Sequence, residues 1–218
     1  MNDQIQQFTV YALPLLFAIT LHEAAHGYAA RRFGDNTAYM MGRVSLNPAR
    51  HIDPVGTILI PMVLLLLGSP FLFGYAKPVP VNFGALRNPK RDMIWVALAG
   101  PASNFVQAFF YALALLLMGH FGVREAFLID VASAGVTVNL VLCVFNLFPI
   151  PPLDGGRVLV GLLPIRQALA LSRIEPLGFF IVMALVLSNI ATYIWLLPLM
   201  GVAQTLLGLL LSPFRLLL

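Results

Sequence analysis

The stretch Ala18-Ile19-Thr20-Leu21-His22-Glu23-Ala24-Ala25-His26-Gly27 lies inside an apolar run that begins near Phe8. On a helix, two histidines four residues apart share a face, where both imidazoles can bind one Zn²⁺. Glu23 follows the first histidine and can act as general base on a water at the metal. Ionisable residues within an apolar span are costly and usually functional. The stretch predicts a metal site inside a membrane helix, with a purely structural histidine pair as the alternative.

The composition indicates an integral membrane protein. Of the 218 residues, 60% are hydrophobic and only 10% are charged, whereas a soluble domain carries about 25% charged residues. The mean hydropathy is +0.89. No polar linker divides the chain, so we expect one membrane-embedded domain over residues 1–218. The formal net charge is +4, but the basic residues are scattered in loops, so no nucleic acid partner is expected. The single cysteine, Cys143, excludes an internal disulfide.

Several apolar tracts are long enough to cross a membrane. Met1 to Gln7 contains no Lys or Arg, so we expect no cleavable signal peptide and a first span that stays in the protein. The expected spans are residues 8–30, 92–119, 127–150 and 175–212, the last with a break near Ser188-Asn189.

The segments between the first two spans have no helical period. Residues 39–53, with Asn-Pro and Gly-Arg turns, predict a short β-hairpin or an irregular loop. Residues 54–73 are apolar but are interrupted by glycines and prolines. Residues 74–91 are predicted to be extended, because each proline moves the residue before it towards β or polyproline geometry.

The distribution of basic residues favours one topology. If residues 54–73 are re-entrant rather than spanning, and two short C-terminal spans return the chain, twelve of the thirteen basic residues fall on one side. Arg215 is among the twelve, and only Arg124 lies opposite. Such an asymmetry predicts a cytoplasmic location for the larger set. The predicted fold is an all-α polytopic membrane protein. A core of three transmembrane helices carries the zinc site, with a re-entrant segment, short β-hairpin loops and C-terminal transmembrane helices.

A catalytic zinc needs a third protein ligand and an open position for water. Asp154 stands out because it follows an apolar span directly, in the proline- and glycine-rich segment Asn146–Gly156. Broken backbone at membrane depth is tolerated only where it is buried in protein or lines a polar cavity. A solvated turn at a helix end is the alternative. The candidates by residue type are His51, His120, Asp35, Asp53, Asp92, Glu125, Asp130, Asp154 and Glu175.

Three motifs together resemble the site-2 protease family of intramembrane zinc metalloproteases. They are HEAAH at 22–26, GPASN at 100–104 and NLFPIPPLDGG at 146–156. The loops GRVSLNPARHIDPVGT and AKPVPVN resemble its compact bacterial branch, which lacks a PDZ domain. The resemblance implies one Zn²⁺ per chain held by His22, His26 and Asp154, with Glu23 as catalytic acid and base. It also implies regulated intramembrane proteolysis, that is, cleavage of a substrate's transmembrane helix near the cytoplasmic leaflet.

Three further residues are candidates for contacting substrate. The resemblance implies that Asn146 donates to the substrate backbone or the oxyanion, whereas capping of the interrupted helix is the alternative. Gly100 and Asn104 lie four residues apart and share a helix face. That face either hydrogen-bonds unwound substrate, admits a partner helix, or serves packing through small and polar residues. Residues 39–46 or 77–82 are candidates to pair with unwound substrate as a strand.

The expected substrates are single-span membrane proteins or signal-peptide-like segments in the lipid bilayer. The expected location is the bacterial cell (inner) membrane, with the active site towards the cytoplasm and the N-terminus outside. One competing interpretation is a non-proteolytic zinc-binding membrane protein or inactive relative. A second is a small transporter, although no internal repeat is visible. A third is a membrane HExxH protease whose third ligand is a glutamate, either Glu125 or Glu175.

Overall fold

The computed structural model describes residues 2–60, 62–63 and 77–217. Within these ranges the chain contains no strand, which confirms the all-α prediction. Its helices are α1 (Asn2–Arg32), α2 (Thr37–Met40), α3 (Pro89–His120), α4 (Ala126–Asn146), α5 (Asp154–Leu162), α6 (Ile165–Ser172), α7 (Glu175–Leu187) and α8 (Leu197–Leu217).

Helices that are long and apolar enough to cross a membrane confirm the expected spans 92–119 and 127–150 and the second part of 175–212. Three helical stretches of the described chain are long and apolar enough to cross a bilayer, namely Pro89–His120, Ala126–Asn146 and Thr192–Leu217. Helices α6 and α7 would form a fourth if this pair, bent by 68°, counted as one span. Helix α1 contains the expected span 8–30, and its 31 residues extend about 46 Å, more than the hydrocarbon core requires.

Helices α1, α3 and α4 form an antiparallel core. We call the end where α1 stops and α3 starts the loop end, and the end where α3 stops and α4 starts the turn end. Near the loop end Ala30 packs with Val96, whereas towards the turn end Phe17 and Phe110 line one groove. Small residues such as Ala24 are fully buried. They let helix backbones approach closely, which is the usual basis of helix packing in membranes.

The chain between α4 and α5 is tightly folded around glycines. A side chain at Gly155 would collide with the carbonyl of Leu147, and one at Gly156 would collide with Pro151. A side chain at Gly178, near the start of α7, would collide with the carbonyl of Pro151. The expected helix break before Asp154 is therefore confirmed, and it brings the start of α5 back against the end of α4.

The C-terminal tract breaks where it was expected to. Helix α7 ends at Leu187, and Asn189 adopts a left-handed conformation with φ of 60°, which asparagine tolerates better than most residues. The expectation of two short returning spans is wrong. Trp195 Nε1 donates to Val144 O at 2.9 Å near the loop end, and Phe214 contacts Phe109 in the turn-end half of α3.

The direction of α8 corrects the count of basic residues. Because α8 crosses once from the loop end to the turn end, Arg215 lies on the same side as Arg124. Eleven of the thirteen basic residues then remain at the loop end. A single crossing suffices here because the apolar tract after Asn189 is itself of span length.

The loops at the loop end are irregular. The expected β-hairpin is wrong for residues 39–53, where helical turns at 37–40 and 48–50 alternate with irregular chain. Asn-Pro and Asp-Pro steps explain this, since Asn47 and Asp53 accept backbone N–H groups and start turns. The re-entrant prediction for 54–73 falls largely on residues outside the described ranges. Its flanks lie together, because Lys77 N donates to His51 O at 2.9 Å.

Candidate metal centre

His22, His26 and Asp154 meet at the centre of the helix core, and we call these three residues the metal centre. Successive turns of α1 place the two histidine Nε2 atoms 3.0 Å apart. Asp154, the first residue of α5, places Oδ2 3.1 Å from His22 Nε2 and Oδ1 3.3 Å from His26 Nε2. All three side chains are buried. Among the described residues this is the only group of three or more His, Cys, Asp or Glu side chains with ligand spacing.

The hydrogen-bond partners of the two imidazoles determine which nitrogen carries the proton. His26 Nδ1 lies 2.7 Å from Val96 O, a carbonyl that can only accept, so Nδ1 is the donor. His22 Nδ1 lies 2.6 Å from Asn104 Oδ1, whose amide nitrogen donates to Ala18 O. Both neutral histidines therefore present the Nε2 lone pair, which is the tautomer that binds metal.

The convergence of three lone-pair donors fits a cation. Asp154 Oδ2 is buried and makes no hydrogen bond to any described residue, which is costly unless a positive partner is present. Two imidazole nitrogens and one carboxylate oxygen are a frequent donor set for catalytic zinc. Ligand atoms of a tetrahedral site with 2.0–2.1 Å bonds lie about 3.3 Å apart. The observed separations, 3.0 to 3.3 Å, are close to that value, although His22 faces Oδ2 of Asp154 and His26 faces Oδ1.

Gly100 faces the metal centre from α3. A Cβ atom at this position would lie 2.6 Å from His22 Nε2 and still closer to His26 Nε2. The sequence suggested substrate contact or helix packing for Gly100. Its missing side chain leaves room for these two nitrogens and lets α3 approach α1 closely, which fits the helix-packing alternative. The role in substrate contact stays a prediction.

Gly100→Ala is therefore expected to weaken zinc binding by at least about tenfold, since it displaces both histidines by more than metal ligands tolerate. Zinc competition titration of the purified protein measures the effect. Gly119→Ala is the matched control, because a Cβ at this other α3 glycine meets no atom within 4 Å. Equal zinc affinity of both variants would show that Gly100 does not limit the ligand geometry.

The side chain of Asn104 contacts the metal centre and is not exposed on a surface. Its side chain is fully buried, and its amide contacts His22, Ala18 and Asn139. None of its surface is exposed, and the sequence-based suggestion of substrate contact stays a prediction. The shared face with Gly100 was correctly inferred, but that face is turned towards the histidines of α1.

Glu23 is held by the extended segment 77–82. Its Oε2 accepts a hydrogen bond from Val79 N at 2.7 Å. Pro78 and Pro80 on either side carry no N–H. Val79 is thus the single donor of the Pro-Val-Pro sequence, and it is directed at the carboxylate next to the first histidine. The sequence placed this segment near substrate and missed its contact with Glu23, because a backbone donor leaves no signature in residue type.

Val79→Pro tests this contact because it removes the N–H group and suits an already extended segment. We expect unchanged zinc content and a fall in kcat on the order of ten- to a hundredfold, through loss of carboxylate orientation. Val79→Ala keeps the N–H and controls for the buried side chain. Val81→Pro is a second control, since Val81 N–H has no partner among the described residues. If Val79→Pro and Val81→Pro reduce kcat equally, the contact with Glu23 is not what matters.

The remaining candidates lie elsewhere. Asn146 ends α4 and its Nδ2 donates to Leu142 O at 3.0 Å, which fits the capping alternative; its oxyanion role stays a prediction. His51 is a buried loop residue bonded to Ser45 O. Glu175 pairs with Arg157 and Glu125 precedes α4 at the turn end. Neither glutamate joins the histidine pair, so the glutamate-ligand alternative finds no support among the described residues.

A buried His-His-Asp centre with an adjacent glutamate, in a protein with helices long and apolar enough to cross a bilayer, defines a metal-dependent hydrolase embedded in a membrane. Known proteins agree. The sequence profile described as Peptidase family M50 matches residues 123–189, which include Asp154.

Relatives named as zinc metalloproteases cover most of the chain. YwhC of Bacillus subtilis (strain 168) is 39% identical over 84% of this chain and 82% of its own length. MJ0611 of Methanocaldococcus jannaschii is 38% identical over 72% of this chain and 73% of its own. Rip2 of Mycolicibacterium smegmatis is 31% identical over 79% of this chain but 64% of its own. No solved structure matches the chain significantly. The chain belongs to peptidase family M50, the site-2 protease family, and is a zinc metalloendopeptidase.

Proposed function

We propose that the protein is an intramembrane protease that hydrolyses peptide bonds within or near transmembrane helices of membrane-protein substrates. The depth of the metal centre carries this proposal. Its α3 partners Val96 and Asn104 lie seven and fifteen residues after Pro89, about 10 and 22 Å along the helix. If α3 starts at the membrane interface, the centre lies inside a hydrocarbon core about 30 Å thick.

The chemistry assigns a role to each residue of the site. His22, His26 and Asp154 hold the zinc, which when bound polarises the peptide carbonyl and makes water more acidic. Glu23 accepts a proton from the attacking water and returns it to the leaving amine. The Val79 N–H keeps one carboxylate oxygen in place, so the other remains available to the water.

In an intact helix the side chains surround the backbone, and its peptide groups are hydrogen-bonded to one another. A substrate helix must therefore unwind locally before a peptide bond can be cut. Pairing of unwound substrate with residues 77–82 is restricted by the contacts of this segment. The N–H groups of Lys77, Val79 and Asn82 already have acceptors in the protein, and two of the other positions are prolines. Strand addition there would use mainly carbonyl groups, and those of Lys77 and Pro78 already accept from Arg43. These contacts favour a role of the segment in positioning Glu23 over a role in pairing with substrate.

The distribution of basic residues supports one orientation of the protein in the membrane. With eleven of thirteen basic residues at the loop end, the positive-inside rule places that end in the cytoplasm. The start of α1 then lies outside. The resemblance to a bacterial branch favours the bacterial cell (inner) membrane, and membrane proteins with one span or signal-peptide-like segments are the proposed substrates.

The test is cleavage of a single-span substrate reconstituted with the protein in liposomes, with the cut position mapped by mass spectrometry. We expect a cut inside the hydrophobic segment, towards the leaflet facing the loop end, and none with Glu23→Gln. A soluble copy of the substrate's polar flank is the matched control and should stay intact. Cuts confined to polar flanks would overturn the intramembrane assignment while leaving the metalloprotease assignment in place.

A further inference from the structure

Asn139 is a polar side chain that the catalytic chemistry does not use. It lies near the middle of α4 and is fully buried. Its Nδ2 donates to Gly135 O, one turn earlier, at 2.9 Å, and its Oδ1 accepts from Asn104 Nδ2 at 3.0 Å. A buried amide at membrane depth is costly unless its donor and acceptor groups are satisfied by hydrogen bonds, so its presence suggests a specific role.

The two asparagines form a chain of hydrogen bonds whose direction is fixed at one end. Gly135 O can only accept, so Asn139 must present its nitrogen there and its oxygen to Asn104. Asn104 must then present its nitrogen to Asn139 and its oxygen to His22. Reversing either amide would oppose two acceptors or two donors. A backbone carbonyl of α4 is thus connected, through two side chains, to the proton on His22 Nδ1.

We propose that Asn139 is a positioning residue of the zinc centre, which fixes His22 in its metal-binding tautomer by orienting the Asn104 amide. The proposal concerns the metal centre and does not depend on where substrates are cut. Asn139 is not a member of the metal centre, and it acts through its hydrogen bond with Asn104.

The two histidines differ in a way that makes the proposal specific. The proton of His26 is fixed by a backbone carbonyl, Val96 O, which side-chain substitutions leave in place. The proton of His22 depends on a side-chain amide whose nitrogen has two acceptors, Asn139 Oδ1 at 3.0 Å and Ala18 O at 3.2 Å. Loss of Asn139 removes the nearer acceptor and so weakens the preference for this amide orientation. With the Asn104 amide reversed, His22 would meet a donor at Nδ1 and hold its proton on Nε2, where it cannot bind zinc. Loss of Asn139 therefore affects His22 and spares His26.

The experiment uses the full chain in detergent micelles, with Asn139→Leu, Asn139→Ser and the control Thr137→Val. Serine can still bond Gly135 O within α4 but is too short to reach Asn104. Thr137 lies two residues away on the same helix, is exposed, and bonds only to Ser133 O in its own helix. The measurements are zinc affinity by competition titration and, on the zinc-free protein, ¹⁵N NMR of labelled histidines at mildly alkaline pH, which reports the protonated nitrogen.

Both Asn139 variants are expected to bind zinc about 10–100-fold more weakly, the usual effect of losing an outer partner of a metal ligand. The His22 spectrum should show a larger share of protonated Nε2 than wild type, whereas His26 keeps its proton on Nδ1 and Thr137→Val resembles wild type. Resonances are assigned from single His22 and His26 substitutions. Unchanged zinc affinity, or weaker affinity with an unchanged His22 tautomer or with equal changes at both histidines, would overturn the proposal and leave Asn139 a packing residue. Asn139→Ser decides the question if the leucine variant does not fold.

Discussion

Glu23→Gln is expected to retain one zinc per chain and to reduce peptide hydrolysis by at least about 10²–10⁴-fold, the contribution of a general acid and base. Glutamine has nearly the same shape, and its amide oxygen can still accept the Val79 N–H bond that positions Glu23. What it cannot do is take a proton from water. The variant therefore isolates proton transfer from metal binding and from local geometry.

Two measurements on the same preparation check this result, zinc content by atomic emission and the rate of cleavage of a transmembrane substrate. Glu125→Gln is the control, since this glutamate precedes α4 at the turn end. Normal cleavage by Glu23→Gln would show that another group handles the proton. Loss of zinc together with cleavage would mean that Glu23 supports the metal rather than the chemistry.

Asp154→Ala is expected to lose both zinc and activity. The substitution leaves two histidine ligands, and it removes the only acid of the group. The decrease in zinc affinity should exceed the roughly 10–100-fold that loss of an outer hydrogen bond causes. Asp130→Ala is the matched control, because Asp130 is an exposed acid near the turn end.

Zinc competition titration separates the outcomes for Asp154. If Asp154→Ala binds zinc as tightly as wild type, the carboxylate is not a ligand and the assignment of the metal centre to His22, His26 and Asp154 is wrong. Asp154→Asn refines the result, since it keeps the hydrogen-bonding shape and removes the charge. It should bind zinc with an affinity between those of wild type and Asp154→Ala.

Most of the spans and the grouping of His22, His26 and Asp154 can be predicted from the sequence for simple physical reasons. Apolar length identifies membrane helices, and the spacing of His22 and His26 places both on one helix face whatever surrounds them. Asp154 could be singled out because prolines and glycines break the helix directly before it. Each of these signals is local, so it survives without knowledge of the tertiary structure.

The parts that could not be predicted depend on contacts between distant segments. Asn104 could be placed on a face with Gly100, but nothing local shows that α1 lies opposite. Val96 and Val79 act through backbone atoms, which any residue supplies. The direction of α8 was also open, since an apolar tract of that length accommodates either one crossing or two.

The directions of α1 and α8 have a practical consequence for labelling. The beginning of α1 and the end of α8 both emerge at the turn end, because α1 leads towards the loop end and α8 leads away from it. A fluorescent protein or affinity tag fused before Asn2 or after Leu217 would therefore sit across the membrane from Glu23 and its loops. Fusions at the two ends should report the same compartment, and a reporter placed between Arg87 and Pro89 should report the other.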